Sequence, residues 1–250
     1  MTRDTSKFRL DQLMVERELA PSRSRASDMI SRGAVQVDGR TARKAGMTVG
    51  QNSKIFINDP ATGCVSRAAL KLIGGLDVSD FDVIGKDAVD IGASTGGFTQ
   101  VLLERGAGSV VAIDVGHGQM NPEISSNPRV TNIEGLNARD LTLAALSVQP
   151  NFIVSDVSFI SIKLAVEPAL TICAEDSQCI LLVKPQFEVG PDGVGKGGLV
   201  KNQDLIDETC RDIQKWFTGL SGWSINNFIP SPIKGGDGNR EFLLCGTRNV

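Results

Sequence analysis

The sequence has few of the residues that build metal sites and disulfide scaffolds. Its 250 residues include one histidine and five cysteines, and no two cysteines have C-x-x-C spacing. A zinc site of cysteine and histidine ligands therefore has almost no ligands to draw on, and we predict that the chain binds no metal. The odd number of scattered thiols predicts a cytoplasmic protein with reduced cysteines.

Long apolar runs are also missing. No stretch approaches the roughly 18 apolar residues that cross a bilayer, and the longest runs, such as Cys179 to Val183, have the length of a strand. The first 13 residues carry charges throughout, so we expect no signal peptide and no membrane partner. With 41% hydrophobic and 22% charged residues, the chain has the composition of a globular protein of one or two domains.

The net charge of −3 is unevenly distributed. Residues 1–65 hold 11 lysines and arginines against 7 acidic residues, so the rest of the chain is acidic. A basic segment on an acidic body suggests a small module that meets a polyanion, although chance fluctuation in a short window is the alternative.

The first 58 residues read as two helices followed by a small sheet. Leu10, Leu13 and Met14 have helical spacing, Ser22 is placed to cap a second helix, and Gly33 ends it. A short alternating strand then leads into an Asp38-Gly39 hairpin turn, and a further strand covers residues 54–57.

This arrangement resembles the S4 RNA-binding module over residues 9–58. The matching segments are Arg9-Leu10-Asp11, Ser22-Arg23-Ser24-Arg25-Ala26, Ile30, Arg32-Gly33 and Val35 to Gly39. The resemblance implies that Arg9, Arg23, Arg25 and Arg32 contact RNA. Guanidinium groups suit that role because they bind phosphates bidentately and stack on unpaired bases, whereas the alternative is an ordinary solvated helix face.

Strands and helices alternate from Ser66 onward. Such alternation predicts an α/β fold with a mainly parallel sheet, in which the last two strands, joined by Gly/Pro turns, form an antiparallel pair. We place an S4 domain at 1–58, a linker at 59–65 and the α/β domain at 66–250. The predicted strands are Asp87–Ile91, Val110–Val115, Val130–Ile133, Phe152–Ser155, Cys179–Val183, Trp223–Ile229 and Glu241–Cys245; the predicted helices include Ser66–Leu76, Phe98–Arg105, Ile162–Thr171 and Asn202–Leu220.

Two strand ends carry the pattern of a nucleotide-type pocket. The first strand ends in a glycine-rich turn at residues 90–99, where the backbone can approach a ligand at the positive end of a helix. Asp114 ends the second strand about 20 residues later, which places a carboxylate to bind a ribose diol. This pattern fits NAD and S-adenosylmethionine (SAM) equally well.

Charged residues follow two further apolar strands. Asp156 and Lys184 stand at strand ends, and the carboxyl ends of parallel strands meet in one crevice. Lys71, on the predicted 66–76 helix, and Glu241 could complete an alternating charge network. A purely structural salt-bridge network is the alternative, because charges at the end of apolar strands must be paired.

A series of motifs runs in order along the chain: Val65-Ser66-Arg67 with Lys71-Leu72, residues 90–99, Asp114 to Gln119, Asp156 to Ser161, Val183 to Glu188, Lys196-Gly197-Gly198, and Ser231-Pro232-Ile233 with Gly238-Asn239 and Glu241. With the N-terminal segments, these motifs resemble the TlyA family over residues 9–247. That family joins an S4 module to an FtsJ-like methyltransferase domain with a Rossmann-like SAM-binding sheet.

The resemblance implies SAM-dependent 2′-O-methylation of a cytidine ribose in ribosomal RNA, with rRNA or a ribosomal subunit as partner. The implied catalytic residues are Lys71, Asp156, Lys184 and Glu241. The implied SAM-binding residues are Asp90, Gly92, Ala93, Ser94, Thr95, Gly96, Gly97, Phe98, Asp114, Val115, Asn137, Ala138 and Asp156. The resemblance implies that family members modifying both subunits carry an extra helix beyond the final strand, whereas here only two residues follow Arg248, too few for a helical turn. We therefore expect the large subunit (23S) alone as substrate; modification of both 16S and 23S rRNA is the alternative.

Charge suggests the roles of the four catalytic candidates. A ribose hydroxyl is a weak acid and needs a base as it attacks, and burial beside another cation lowers the pKa of a lysine. We expect Lys184 to be the base, Asp156 to orient it, and Glu241 to hold Lys71 and the incoming hydroxyl. The competing hypotheses are an NAD-dependent oxidoreductase and a non-catalytic RNA-binding or pore-forming protein.

Overall fold

The structure is a computed structural model that describes residues 7–146 and 148–249. Its contacts divide the chain into two compact units between Thr62 and Gly63. That division falls inside the linker predicted at 59–65, and the predicted ranges 1–58 and 66–250 stay predictions. Residues 1–6 and residue 250 lie outside the described residues. The prediction that the first 13 residues form no signal peptide therefore falls partly outside them.

The described part of the N-terminal unit, from residue 7 onward, contains two helices and two small antiparallel sheets. As predicted, the Ser22 hydroxyl caps the second helix by accepting a hydrogen bond from the Arg25 amide, and Asp38 and Gly39 form a turn with positive φ at both positions. The helices are α1 (Leu10–Glu16) and α2 (Arg23–Ser31), and the strands are β1 (Lys7–Arg9), β2 (Val35–Val37), β3 (Arg40–Thr41), β4 (Thr48–Gly50) and β5 (Ile55–Ile57).

Apolar side chains of both helices and of the strands form the core of this unit. Leu10, Met14, Ile30 and Val35 are fully buried there. Strand β2 lies between β3 and β5, and β1 pairs with β4. The β1–β4 pair escaped the sequence pattern, because strands of three residues carry almost no periodicity.

The C-terminal unit is built on a seven-stranded sheet. All seven predicted strands are present, with ends that differ by up to three residues from prediction. The last strand begins one residue after Glu241 and runs three residues further than predicted. The strands are β6 (Asp87–Ile91), β7 (Ser109–Asp114), β8 (Val130–Glu134), β9 (Phe152–Ser155), β10 (Gln178–Val183), β11 (Trp223–Pro230) and β12 (Phe242–Arg248).

Helices cover both faces of the sheet, as the alternation predicts. Residues of one strand point alternately to the two sides, so Ile153 joins one apolar core while Phe152 and Val154 join the other. Residues of α3 and α4 pack into the second core, and residues of α6 and α7 into the first. The helices are α3 (Ala69–Ser79), α4 (Gly97–Glu104), α5 (Pro122–Ser125), α6 (Ile162–Ile172) and α7 (Gln203–Thr218).

The strand order creates a crevice at one edge. The order is β11-β12-β10-β9-β6-β7-β8; β12 is antiparallel to both of its neighbours, and the strands from β10 to β8 pair in parallel. The chain moves outward from β6 through β7 and β8, then returns to the other side of β6 with β9. Ligands bind at such a reversal point, outside the carboxyl ends of the strands. No helix in the described residues has the length and apolar character to cross a membrane.

Candidate active site

Four charged side chains alternate in sign at the carboxyl edge of the sheet. Lys71 of α3 reaches Glu241 with 2.8 Å between Nζ and Oε2, and Asp156 with 3.4 Å between Nζ and Oδ2. The Lys184 ammonium lies on the other side of Asp156, at 2.6 Å from Oδ1. The sequence predicted that these four residues meet, and the structure brings all four together. Asp156 therefore stands between the two lysines, and Glu241 completes the network behind Lys71.

The Lys184 side chain has a second partner that the sequence analysis did not single out. Its Nζ donates a hydrogen bond of 2.8 Å to the Ser158 hydroxyl, two residues beyond Asp156. The amine is therefore held between the carboxylate and the hydroxyl of one short segment that follows β9. With two positions of Nζ bound to Asp156 and Ser158, the direction of its remaining proton or lone pair is fixed.

The glycine-rich turn after β6 packs directly against the segment that carries Asp156. Gly92 has a φ of +81°, and a Cβ there would stand 2.9 Å from the Asp156 carbonyl oxygen. A side chain at this position would therefore collide with backbone. The absence of a side chain at Gly92 lets the turn and Asp156 share one wall of the site.

Asp114, at the end of β7, is bound to the same turn. Its Oδ2 accepts a hydrogen bond of 2.8 Å from the Ser94 amide, and its Oδ1 accepts one of 2.8 Å from the Gly116 amide. A carboxylate offers about four acceptor sites. Asp114 thus keeps acceptor capacity for hydroxyl donors after orienting the turn.

Two cavities of about 380 and 290 Å³ open at this edge and share walls at Gly92, Ser94, Asp156 and Ser158. The larger one holds Asp114 beside apolar side chains, and the smaller one holds the two lysines. Of the predicted site residues, Gly92, Ser94, Asp114, Val115, Asn137, Ala138 and Asp156 line the larger cavity. Lys71, Gly92, Ala93, Ser94, Thr95, Gly97, Phe98, Asp156 and Lys184 line the smaller one.

Asp90 and Gly96, also predicted for the cofactor site, line neither of these two cavities. Gly96 begins α4 with a φ of +90°. Asp90 is fully buried and accepts a hydrogen bond of 2.6 Å from the Thr99 hydroxyl. Burial, with a smaller contribution from the nearby Asp156 and Asp114 charges, raises the pKa of Asp90 to about 7. Asp90 therefore stabilises the turn through its hydrogen bond with Thr99 and does not line the site.

In the N-terminal unit, Arg9 and Arg23 share one buried acid. Both guanidinium groups lie 3.0 Å from oxygens of Asp11, while their side chains stay 54% and 58% exposed. The hydrogen bonds from Arg9, with help from Arg23, lower the pKa of Asp11 to about 2. Asp11 therefore orients two cations that remain accessible to a ligand.

Arg25 and Arg32 are held within the unit instead. Arg32 forms a bidentate pair with Asp59, with Nη–Oδ distances of 2.7 and 2.8 Å, and Arg25 donates to the Ala61 carbonyl at 2.9 Å. The Arg25 side chain is 19% exposed and the Arg32 side chain is 17% exposed. Arg32 lowers the pKa of Asp59 despite its burial. These two arginines thus bind residues that the sequence analysis had assigned to a linker.

Comparison with known proteins matches both units. The FtsJ-like methyltransferase family model matches residues 64–248, and the S4 domain model matches residues 8–55. The chain is 42% identical over 238 residues to the 16S/23S rRNA (cytidine-2′-O)-methyltransferase TlyA of Mycobacterium tuberculosis, covering 94% of this chain and 88% of that protein.

Two further proteins extend the comparison. The 23S rRNA (cytidine-2′-O)-methyltransferase TlyA of Campylobacter jejuni is 36% identical, over 74% of this chain and 71% of that protein. The solved structure of a protein described as a hemolysin, from Streptococcus thermophilus, superposes with a TM-score of 0.76 at 32% identity, over 97% of this chain and 89% of that one. The chain therefore belongs to the FtsJ-like methyltransferases and, among them, to the TlyA family.

Proposed function

We propose that this protein transfers the methyl group of SAM to the 2′-hydroxyl of a cytidine in the rRNA of the large ribosomal subunit. The observation that carries the proposal is the alternating cluster of Lys71, Asp156, Lys184 and Glu241 beside a nucleotide-sized cavity. The TlyA relatives from both organisms are named for cytidine 2′-O-methylation, and both names include 23S rRNA. An rRNA substrate would place the protein in the cytoplasm.

The residues of the larger cavity fit SAM. Its volume of about 380 Å³ lies in the range of small-molecule pockets. Asp114 offers its remaining acceptor sites to the ribose diol, and Val115, Leu136 and Ala138 supply an apolar slot for adenine. The first turn of α4 directs backbone amides toward the smaller cavity, which suits the carboxylate of the methionine part. Bound there, SAM would supply a methyl group activated by a sulfonium.

Hydrogen-bond geometry supports Lys184 as the base. A neutral amine has two N–H groups and one lone pair. The contacts of Nζ with Asp156 at 2.6 Å and Ser158 at 2.8 Å use the two N–H groups, which leaves the lone pair for the acceptor hydroxyl. As the new bond from the 2′-oxygen to the methyl carbon forms and the carbon–sulfur bond breaks, the hydroxyl proton moves to Lys184 Nζ.

Charge balance agrees with this assignment. With Lys184 neutral and Lys71 protonated between Asp156 and Glu241, the cluster carries a net charge of −1, which complements a sulfonium. The cluster becomes neutral when Lys184 takes the proton, at the moment the sulfonium charge is lost. Charge is therefore never left uncompensated in this site, where Lys71, Lys184 and Glu241 are buried and an unpaired charge is costly.

An exposed aromatic ring stands at the rim of the larger cavity. Phe159 is 91% exposed, adopts a φ of +64°, and lies 5.0 Å from the Phe187 ring between centroids. A bulky residue with positive φ is strained, and such strain persists mainly at functional sites. An exposed ring offers a stacking surface for an unpaired base, which suits a nucleotide substrate taken out of its stack.

The N-terminal unit supplies RNA affinity in this proposal. Arg9 and Arg23 carry the role, because both remain exposed while Asp11 orients them. Arg25 and Arg32 act mainly through the folding of the unit, since Asp59 and the Ala61 carbonyl already bind them. Exposed arginines oriented by an acid are well suited to phosphate contacts.

The first prediction concerns the cofactor. Calorimetric titration should show SAM binding to the wild-type protein, and Asp114→Ala should weaken it at least about tenfold, because the variant loses the ribose acceptors and two hydrogen bonds that shape the turn. NAD should not bind. Asp87→Ala, at the opposite end of the neighbouring strand, is the control and should leave SAM affinity unchanged. NAD binding in place of SAM would contradict the proposal.

The second prediction concerns the substrate. Purified 50S and 30S subunits are incubated separately with the protein and SAM labelled in its methyl group. We expect label in the 50S subunit, and we expect Lys184→Ala to incorporate none. Label in the 30S subunit at a comparable rate would extend the substrate to 16S rRNA and refute the restriction to the large subunit; absence of label in both would refute the proposed function.

A further inference from the structure

Two loops beside the catalytic cluster are joined by one buried side chain. Asn239 is only 3% exposed. Its Oδ1 accepts a hydrogen bond of 3.0 Å from the Val200 amide, and its Nδ2 donates one of 2.8 Å to the Gly198 carbonyl. The oxygen and the nitrogen of the Asn239 side-chain amide thus both bind a loop about 40 residues earlier in the sequence. We call residues 195–200 and 235–241, held together in this way, the double loop.

One arm of the double loop ends at the catalytic cluster. The turn at 235–239 is closed by hydrogen bonds from the Gly235 amide to the Asn239 carbonyl and from the Gly238 amide to the Gly235 carbonyl, both of 3.0 Å. Glu241 follows two residues after Asn239. A Cβ on Gly235 would stand 2.6 Å from Oε1 of Glu241, so the turn packs against the carboxylate that binds Lys71.

The other arm presents a single cation. Within residues 195–198 the sequence is Gly-Lys-Gly-Gly, and the Gly195 amide closes the loop on the Leu199 carbonyl at 2.9 Å. Lys196 is exposed and forms no ion pair or hydrogen bond with the described part of the chain. Gly197 and Gly198 both have positive φ, a conformation that the closed loop requires.

Positive charge predominates within the double loop and at the residues that directly adjoin it. Lys201 and Lys234 flank it and are exposed, and Arg240 lies within it. Arg240 donates to Gln203 Oε1 at 2.7 Å, and Asp237 is the exposed acid of the turn. Four cations against one exposed acid suit a polyanion, and phosphates are the polyanionic feature of RNA.

We propose that the double loop is an RNA-backbone-binding surface of the methyltransferase unit, in which Lys196 contacts a phosphate of the substrate and Asn239 fixes the spacing between that contact and Glu241. The inference rests on the proposed function, because it takes RNA as the substrate. Asn239 is a positioning residue: it keeps the acceptor ribose at the cluster in register with the backbone held by Lys196.

The test separates RNA binding from alignment of the acceptor ribose in the 250-residue chain, with 50S subunits as substrate. Lys196→Gln should raise KM about fivefold, the equivalent of one lost charge-assisted contact, and reduce the slope of log affinity against log salt by about 1, with kcat unchanged. Lys86→Gln removes a lysine before β6, at the opposite edge of the sheet, and should change neither quantity.

Asn239→Ala should instead lower kcat by roughly 10- to 100-fold, because small misplacements of reacting groups are costly, while SAM affinity stays at the wild-type value. Asn239→Asp keeps the acceptor for the Val200 amide and should recover part of kcat. Asn151→Ala, which removes an acceptor for the Asp87 amide at the opposite edge, should lower stability alone.

The outcomes distinguish this inference from the function on which it rests. The proposed RNA-binding surface would be contradicted if the wild-type protein methylates 50S subunits and the Lys196→Gln variant does so with unchanged KM and salt dependence. Asn239 variants that lose stability but keep kcat, as expected for Asn151→Ala, would overturn the positioning role. If Asn239→Ala does not fold, Asn239→Asp and Lys196→Gln decide the question. Failure of the wild-type protein to methylate RNA would refute the proposed function itself.

Discussion

Replacing Lys184 should abolish methyl transfer while leaving the cofactor site intact. We expect Lys184→Ala to lower kcat at least about a hundredfold, the usual contribution of a general base, because Lys71, the other amine of the cluster, is bound between Asp156 and Glu241. Lys184→Arg should be equally inactive. It retains a cation beside Asp156, but a guanidinium does not lose its proton in proteins. Single-turnover kinetics with 50S subunits and calorimetry with SAM provide the two measurements.

The arginine variant makes this test specific. If the lysine acted only through its positive charge, Lys184→Arg would keep much of the activity that Lys184→Ala loses. Lys86→Ala is the control for removing a lysine from this unit and should retain wild-type turnover. A Lys184→Arg variant with near-normal kcat would contradict the assignment of Lys184 as the base.

The second large effect is expected from Asp59, which the sequence analysis assigned to the linker and which forms the bidentate pair with Arg32. Asp59→Ala should destabilise the N-terminal unit by about 3 kcal/mol, because it leaves the half-buried Arg32 without its bidentate partner. A unit of about 60 residues has little stability to lose. Hydrogen exchange should show loss of protection within residues 8–57, and RNA affinity should fall with it, while SAM still binds.

A pH dependence follows from the same pair. The pKa of Asp59 is lowered in the folded unit, so its stabilisation is present above the unfolded-state pKa of about 4 and is lost as pH falls through the folded-state value. Asp59→Asn should lack that acid-induced loss. Asp28→Ala, which removes the more exposed acid beside Arg32, is the matched control and should cost less than about 1 kcal/mol. Unchanged protection in Asp59→Ala would contradict this account.

Periodicity explains why most of the fold could be predicted. Strands buried on both faces appear as continuous apolar runs, so all seven strands of the sheet were visible in the sequence. Charged residues directly after such runs must lie at the strand ends, and parallel strands bring those ends together. The meeting of Asp156 and Lys184 therefore followed from sequence. For Lys71 and Glu241 the sequence pattern indicated only that they could complete the charge network, and the family resemblance assigned them to the catalytic site.

The remainder depended on contacts between distant segments. Arg25 and Arg32 looked like an RNA-binding face, and no local pattern showed that Asp59 and the Ala61 carbonyl bind them. Ser158 and Asn239 were likewise parts of motifs without a role. A side-chain hydroxyl or amide has no periodic signature, and its partner becomes visible only when loops about 25 to 40 residues apart come together.

The identity of the methylated nucleoside tests the central claim most directly. After reaction of 50S subunits with the protein and labelled SAM, the rRNA is digested to nucleosides and the labelled product is identified by mass spectrometry. The arrangement of Lys71, Asp156, Lys184 and Glu241 predicts a label on the ribose 2′-oxygen and no labelled product from the Lys184→Arg variant. The similarity to the TlyA cytidine-2′-O-methyltransferases predicts that the labelled nucleoside is 2′-O-methylcytidine. Label on a base, or undiminished label with that variant, would contradict the account.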